Sequence, residues 1–151
     1  MNSIPRFHLA FPVHNLESAR EFYVSILKCK TGRESNSWID FDLYGHQIVA
    51  HLSPDDCSSI STNVVDNDNI PSRHFGVILE WEDWESLCIR LKKIDIDFLV
   101  KPKVRFKNKN GEQGTLFLKD PSGNVLEFKS FKDDSNAVSY THLTLPTICS
   151  V

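Results

Sequence analysis

His8-Leu9-Ala10-Phe11 and His74-Phe75-Gly76-Val77 open two stretches that read alike, and their recurrence decides the fold. Residues 5–13 alternate as a strand, with Arg6, His8 and Ala10 on one face and Phe7, Leu9 and Phe11 on the other. Asn15 then offers a side-chain oxygen to a helix start, and Leu16, Ala19, Phe22, Tyr23, Ile26 and Leu27 recur at helical spacing, predicting an amphipathic helix of about three turns. Shorter strands are expected over 30–34, 38–43 and 46–52, the last two joined by a tight turn at Tyr44-Gly45. From residue 73 the plan repeats. Residues 73–81 alternate, with His74, Gly76 and Ile78 opposite Phe75, Val77 and Leu79, and residues 82–94 carry Trp84, Leu87, Cys88, Leu91 and Ile94 as one helical stripe. Strands are expected over 98–101, 114–119 and 124–131, the last two joined by Asp120-Pro121-Ser122-Gly123, whose Pro and Gly suit a turn.

Each half therefore reads β-α-β-β-β, and Val49-Ala50-His51-Leu52 matches Val125-Leu126-Glu127-Phe128 at the end of the two copies. A unit of ~50–60 residues buries too little surface to stand alone, so pairing of the two is expected. The predicted class is α+β: two βαβββ units forming one curved mixed sheet around a cup, in a single domain over 1–131. Unit one covers 4–52 and unit two 73–131. Between them, 53–72 is rich in Ser, Asp and Asn and reads as a surface linker. The basic run Lys101, Lys103, Arg105, Lys107 and Lys109 reads as a solvated loop ending at Asn110-Gly111, or as a lid beside a site.

The 151 residues are 40% hydrophobic and 25% charged, the composition of a globular protein rather than a disordered or collagen-like chain. A net charge of -3 gives no footprint for nucleic acid, and no stretch approaches the ~18 apolar residues of a membrane span. Residues 1–5 carry no charged-then-apolar leader pattern. Cys29, Cys57, Cys88 and Cys149 have no C-x-x-C spacing, so neither a zinc knuckle nor a dithiol motif is expected, and a reducing, cytoplasmic setting follows. Residues 137–151 (AVSYTHLTLPTICSV) carry no Lys, Arg, Asp or Glu and resemble the translation of a sequencing adaptor read through the end of a gene. They are expected to be a non-native tail.

If the first and last strands of the two units meet at the centre of a cup, His8, His51, His74 and Glu127 converge there. Two imidazoles and a carboxylate with open coordination positions form the facial triad suited to Fe(II), and the set also serves zinc or manganese. Each residue alone has an ordinary alternative, a half-exposed strand histidine or a glutamate pointing to solvent. It is their occurrence at matched positions of a repeat that carries the reading. His14, beside the Asn15 cap, and His46, on a turn, are read as structural, and Trp81 with Trp84 as core packing.

Phe7-His8-Leu9-Ala10-Phe11-Pro12-Val13, Ala19-Arg20-Glu21-Phe22-Tyr23, Arg73-His74-Phe75-Gly76-Val77 and Asp120-Pro121-Ser122-Gly123-Asn124-Val125-Leu126-Glu127 resemble the vicinal oxygen chelate superfamily. It includes glyoxalase I, fosfomycin and bleomycin resistance proteins, and extradiol dioxygenases. The resemblance spans residues 4–131 and is nearest to predicted extradiol-type dioxygenases, which share a G-H-Q-x-V-A-H-L strand and an E-W-E-D-W helix start. It implies a divalent metal, Fe(II) first and Zn, Mn or Ni as alternatives, held by His8, His74 and Glu127. It implies for His51 either acid/base work on oxygen intermediates, as in dioxygenases, or a fourth ligand position, as in glyoxalase I. Extradiol enzymes usually place a Tyr where this chain has Phe117, and Tyr44 and Arg105 are the replacements, both expected at the surface. The implied reaction is dioxygenation of a small substrate that chelates through adjacent oxygens. A glyoxalase- or isomerase-like lyase, and a non-catalytic drug- or metabolite-binding protein, are the other two readings. The expected partner is a small molecule, with neither nucleic acid nor membrane, and association as a homodimer is left open.

Overall fold

The computed structural model describes residues 3–57, 62–65 and 67–133. They form a mixed α+β fold with two four-stranded sheets and few helices. In the first sheet the order is β1-β4-β3-β2, built from β1 (His8–Val13), β2 (Lys30–Glu34), β3 (Trp38–Leu43) and β4 (His46–Leu52). β1 runs parallel to β4, with His8 opposite Gln47 and Pro12 opposite His51, and β4 runs antiparallel to β3. The second sheet repeats this order as β7-β10-β9-β8, with β7 (Phe75–Leu79), β8 (Phe98–Arg105), β9 (Gln113–Lys119) and β10 (Val125–Phe131). β7 and β10 are again the parallel pair. The repeated βαβββ plan is thus present, each copy closing its own mixed sheet. The predicted adaptor-like tail, 137–151, lies outside the described residues.

The chain divides into two compact units. The first takes residues up to 74 together with 119–125, and the second takes 75–118 and the chain from 126 onward. The Asp120-Pro121-Ser122-Gly123 turn therefore belongs to the first unit, although the strands it joins lie in the second.

In the first unit, period-two alternation sends Phe11 and Val13 of β1, Ile48 and Ala50 of β4 and Ile39, Phe41 and Leu43 of β3 into the core, all at or below 6% exposure. α1 (Leu16–Arg20) is capped as its sequence predicts, the Asn15 side-chain oxygen accepting from the Ser18 amide at 2.9 Å. The helix does not continue regularly, however. Glu21–Ile26 is π-helical, and the Leu27 amide reaches back to the Phe22 carbonyl. The widened turn directs two consecutive aromatics inward: Phe22 and Tyr23 are both buried, and Tyr23 packs on Phe11 at 5.3 Å and on Phe41 at 5.0 Å.

Two other expectations change. The 53–72 linker is not simply a loop, because Thr62–Val65 (β5) and Asp68–Pro71 (β6) pair as an antiparallel hairpin turned at Asn67, whose φ is 69°. The basic run is not all loop either. β8 extends to Arg105, with Lys103 opposite Thr115 and Arg105 opposite Gln113, and register shifts on both sides of Val100 accommodate Pro102.

In the second unit, α2 (Trp81–Lys93) buries Trp84, Leu87, Cys88 and Leu91 of the predicted stripe, whereas Ile94 caps the helix and is 51% exposed. Glu82 and Asp83 near its start and Arg90, Lys92 and Lys93 near its end complement the helix dipole. Trp84 fixes the docking: its indole N–H donates to the Phe128 carbonyl at 3.0 Å, and its ring covers Gly114, where a Cβ would come within 2.7 Å. One polar group in this core has no partner among the described residues. Ser130 on β10 is fully buried and its hydroxyl makes no hydrogen bond. Because an unpaired buried hydroxyl costs about 1–3 kcal/mol, Ser130→Ala is expected to stabilise the protein by about 1 kcal/mol, read as a higher urea midpoint at unchanged slope.

Candidate metal ligands and an adjacent cleft

The first sheet has one buried face and one open face. β-Strand parity places His8, Ala10 and Pro12 of β1, Gln47, Val49 and His51 of β4, and Trp38 and Asp40 of β3 on the open face. At its lower end, the Nδ1 of His8 lies 2.8 Å from the amide oxygen of Gln47. A carbonyl oxygen only accepts, so Nδ1 is the donor in this bond and the ring direction is fixed by it. Gln47 is itself oriented, its amide nitrogen donating to Asp40 at 3.3 Å. His74, just before β7, is held the same way, with Nδ1 2.8 Å from the Pro71 carbonyl oxygen. This is the arrangement metal-bound histidines use, in which the second nitrogen donates to an oxygen and so fixes the tautomer and the ring direction.

In the second unit, Glu127 is half-buried on β10. Its Oε1 accepts the Thr115 hydroxyl at 2.7 Å and lies 3.5 Å from the Lys129 ammonium. Thr115 is itself 1% exposed, so a fixed donor sets the carboxylate's orientation. The three side chains are therefore each oriented, two imidazoles and one carboxylate, which are donor types that suit a divalent cation. Among the described residues no group of three or more His, Cys, Asp or Glu side chains is gathered around one point.

His51 sits differently from its matched position. In the second unit Glu127 lies opposite Gly76, and the corresponding pair in the first unit is Ala10 with Val49. His51 is two residues farther, opposite Pro12. The displacement is even, so the side chain keeps the same face as His8, but four residues of β4 separate it from Gln47, ~13 Å along the strand. His51 instead lines an open cleft of about 540 Å³ with Ala10, Pro12, Asp55, Asp56 and Arg73.

A sequence model of the Glyoxalase/Bleomycin resistance protein/Dioxygenase superfamily matches residues 7–128. The chain belongs to this superfamily. A crystal structure of a glyoxalase/bleomycin resistance protein/dioxygenase from Alicyclobacillus acidocaldarius is 35% identical, aligns over 87% of this chain and 95% of that one, and gives a TM-score of 0.72. Lactoylglutathione lyase from Agrobacterium tumefaciens (12% identity, 86% and 96% coverage, TM-score 0.58) shares the fold. So does a fosfomycin resistance protein from Listeria monocytogenes (13% identity, 90% and 98% coverage, TM-score 0.60). Superfamily members bind small molecules and generally a divalent metal, and no helix among the described residues is long and apolar enough to cross a membrane.

Against the superfamily pattern, Phe117 is 2% exposed on β9 and Tyr44 is 49% exposed on the β3–β4 turn, at φ 50°. Arg105 is half-buried on β8. Gln47, Thr115, Lys129 and Arg73 are site neighbours that residue type alone does not mark. Strand parity was the available signal for Lys129, two residues beyond Glu127, while Gln47 and Thr115 required the pairing register. His14 also has more to do than flank a helix: its amide and its Nδ1 lie 2.9 and 2.7 Å from the Ser122 hydroxyl.

Proposed function

We propose that this chain is a metal-dependent enzyme, an extradiol-type dioxygenase acting on a small substrate that chelates the metal through adjacent oxygens, such as a catechol or an α-hydroxycarbonyl. His8, His74 and Glu127 are the proposed ligands, Fe(II) the proposed metal and His51 the proposed acid/base. The single observation that carries the reading is the matched orientation of His8 and His74, each with Nδ1–H donated to an oxygen. When bound, the metal would supply a Lewis acid for the substrate oxygens and, as iron, a route for electrons to O2.

The residues of the chain do the rest. Gln47 and the Pro71 carbonyl keep the imidazoles in one tautomer, and the Thr115 hydroxyl holds Glu127 against rotation. His51, ~13 Å along the strand from the Gln47 level, is too far along β4 to share a ligand position with His8 and is spaced to meet a substrate held between them. Its ring can accept a proton from a substrate hydroxyl and return it to a product oxygen. This favours the acid/base role over a fourth ligand. We take the setting as cytoplasmic, where cysteines such as Cys29, Cys57 and Cys88 stay reduced. We take 1–131 as the functional domain.

Metal binding tests the reading. By titration calorimetry of metal-free protein, His8→Ala and Glu127→Ala are expected to abolish stoichiometric Fe(II) or Mn(II) binding. Gln47→Leu is expected to weaken it about 10–100-fold, because only the orienting hydrogen bond is lost. Parental affinity in both alanine variants overturns the ligand assignment. Fe(II)-dependent O2 uptake with catechols supports dioxygenation, and oxygen-independent turnover with Zn or Ni overturns it in favour of a lyase.

A further inference from the structure

The cleft around His51 has a charge pattern that the reaction alone does not require. Arg73 is the one cation among its described lining residues, standing directly before His74, and none of the ion pairs formed among the described residues uses it. Asp55 and Asp56 come from the short 3-10 turn Pro54–Asp56, and Asp56 is occupied by the Ser53 hydroxyl. Ala10 and Pro12 supply an apolar floor beside His51. A guanidinium recognises a planar oxyanion through paired N–H donors, whereas a carboxylate such as Asp55 accepts from hydroxyl groups and repels anions. A ligand using the whole cleft therefore has an anionic group at one end, a flat apolar body and hydroxyl donors at the other.

We infer that Arg73 is a specificity-determining residue, and that this cleft selects carboxylate-bearing members of the substrate class, of which a dihydroxybenzoate is the simplest. The inference rests on the proposed function for its link to turnover, but the cleft's own recognition of a carboxylate does not depend on a metal. The guanidinium pairs with the substrate carboxylate, the ring lies over Ala10 and Pro12, and one hydroxyl comes within reach of His51. Neutral catechol lacks the first contact.

Titration calorimetry with 3,4-dihydroxybenzoate and with catechol, on metal-free and metal-loaded protein, tests this. The parent is expected to bind the dihydroxybenzoate at least tenfold more tightly than catechol, consistent with a charge-assisted hydrogen bond. Arg73→Met is expected to remove that preference while leaving catechol affinity within about twofold, and Arg73→Lys to restore part of it, since an ammonium keeps the charge but not the fork. Circular dichroism and the unfolding midpoint of Arg73→Met should match the parent, as the side chain is exposed. Equal affinity for both ligands in the parent, or a preference unchanged in Arg73→Met, overturns the inference whatever the enzyme does with catechols. An Arg73-dependent preference in protein that cleaves neither compound upholds the inference and removes the dioxygenase reading instead.

Discussion

Gly76→Ala is expected to cost about 3–5 kcal/mol, enough to unfold a domain of ordinary stability or to leave it a small fraction of its margin. A Cβ at Gly76 would lie 1.6 Å from the Glu127 carbonyl oxygen and 2.7 Å from its carbonyl carbon. Both are backbone atoms, held by the parallel pairing of Leu126 with Phe75 and Phe128 with Val77 on either side, so no side-chain rotation relieves the clash. The strands must part at the one point where β7 meets the proposed carboxylate ligand. Gly45→Ala is the informative control. Gly45 has nothing within 4 Å of its Cβ position but a φ of +89°, so it carries only the conformational penalty, about 1 kcal/mol. Urea unfolding of the two variants separates steric exclusion from backbone strain. Equal midpoints for both would show that β10 yields at Glu127 and that Gly76 is not needed for the close approach.

Gly76 also illustrates what a sequence conveys and what it withholds. The strand expected over 73–81, observed as Phe75–Leu79, was legible because alternation of apolar residues is a local property, and the same holds for β1, β3 and β4, for most of the stripe on α2 and for the Tyr44-Gly45 turn, both of whose residues take positive φ. The Asn15 cap was legible for the same reason. The π-helical segment was not, since Phe22 and Tyr23 satisfy an α-helical stripe equally well and only the packing of Tyr23 between Phe11 and Phe41 selects the wider turn. The β5–β6 hairpin was hidden by composition: Asn67, Asp68 and Asn69 are turn residues by propensity, and pairing draws Asp68 and Asn69 into a strand. At the site, His8 and His74 were found by residue type, but their tautomers depend on Gln47 and Pro71, which are brought close by pairing register and chain reversal. The matched placement of His51 with Glu127 failed by two residues for a related reason. Similar tetrapeptides fix the face a residue occupies, whereas turn lengths fix the register at which strands meet.

Asp120→Ala is expected to be the other severe substitution, at about 3–5 kcal/mol, although the sequence gives this residue no role beyond opening a turn and a family motif. Asp120 is 3% exposed. Its Oδ1 accepts the Ser122 and Asn124 amides at 2.9 and 2.8 Å, and its Oδ2 accepts the Tyr23 hydroxyl at 2.8 Å and the Asn124 side-chain amide at 2.9 Å. Removing the carboxylate leaves several donors short of an acceptor, two of them on the turn and one on a fully buried tyrosine, and each such loss costs about 1–3 kcal/mol. Asn124 carries the effect onward, because its amide also donates to the Pro12 carbonyl at 2.8 Å, opposite His51 in the β1–β4 register. Tyr23→Phe removes one donor only and should cost about 1 kcal/mol at pH 7. Alkaline pH distinguishes the two variants further. Burial, and then the charge of Asp120, raise the Tyr23 pKa well above its ordinary 10.0. The unfolded chain therefore loses this proton near pH 10 while the folded chain keeps it. With fewer protons bound in the unfolded state, stability falls as pH rises, by about 1.4 kcal/mol per unit from pH 10 until the folded pKa is reached, and the contribution is intact below pH 10. In Tyr23→Phe this component vanishes, so urea midpoints of parent and variant should converge between pH 10 and 11. Parallel curves over that interval would mean that Tyr23 ionises in the folded state as readily as in the unfolded one, and that the Asp120 carboxylate is not closed in beside it.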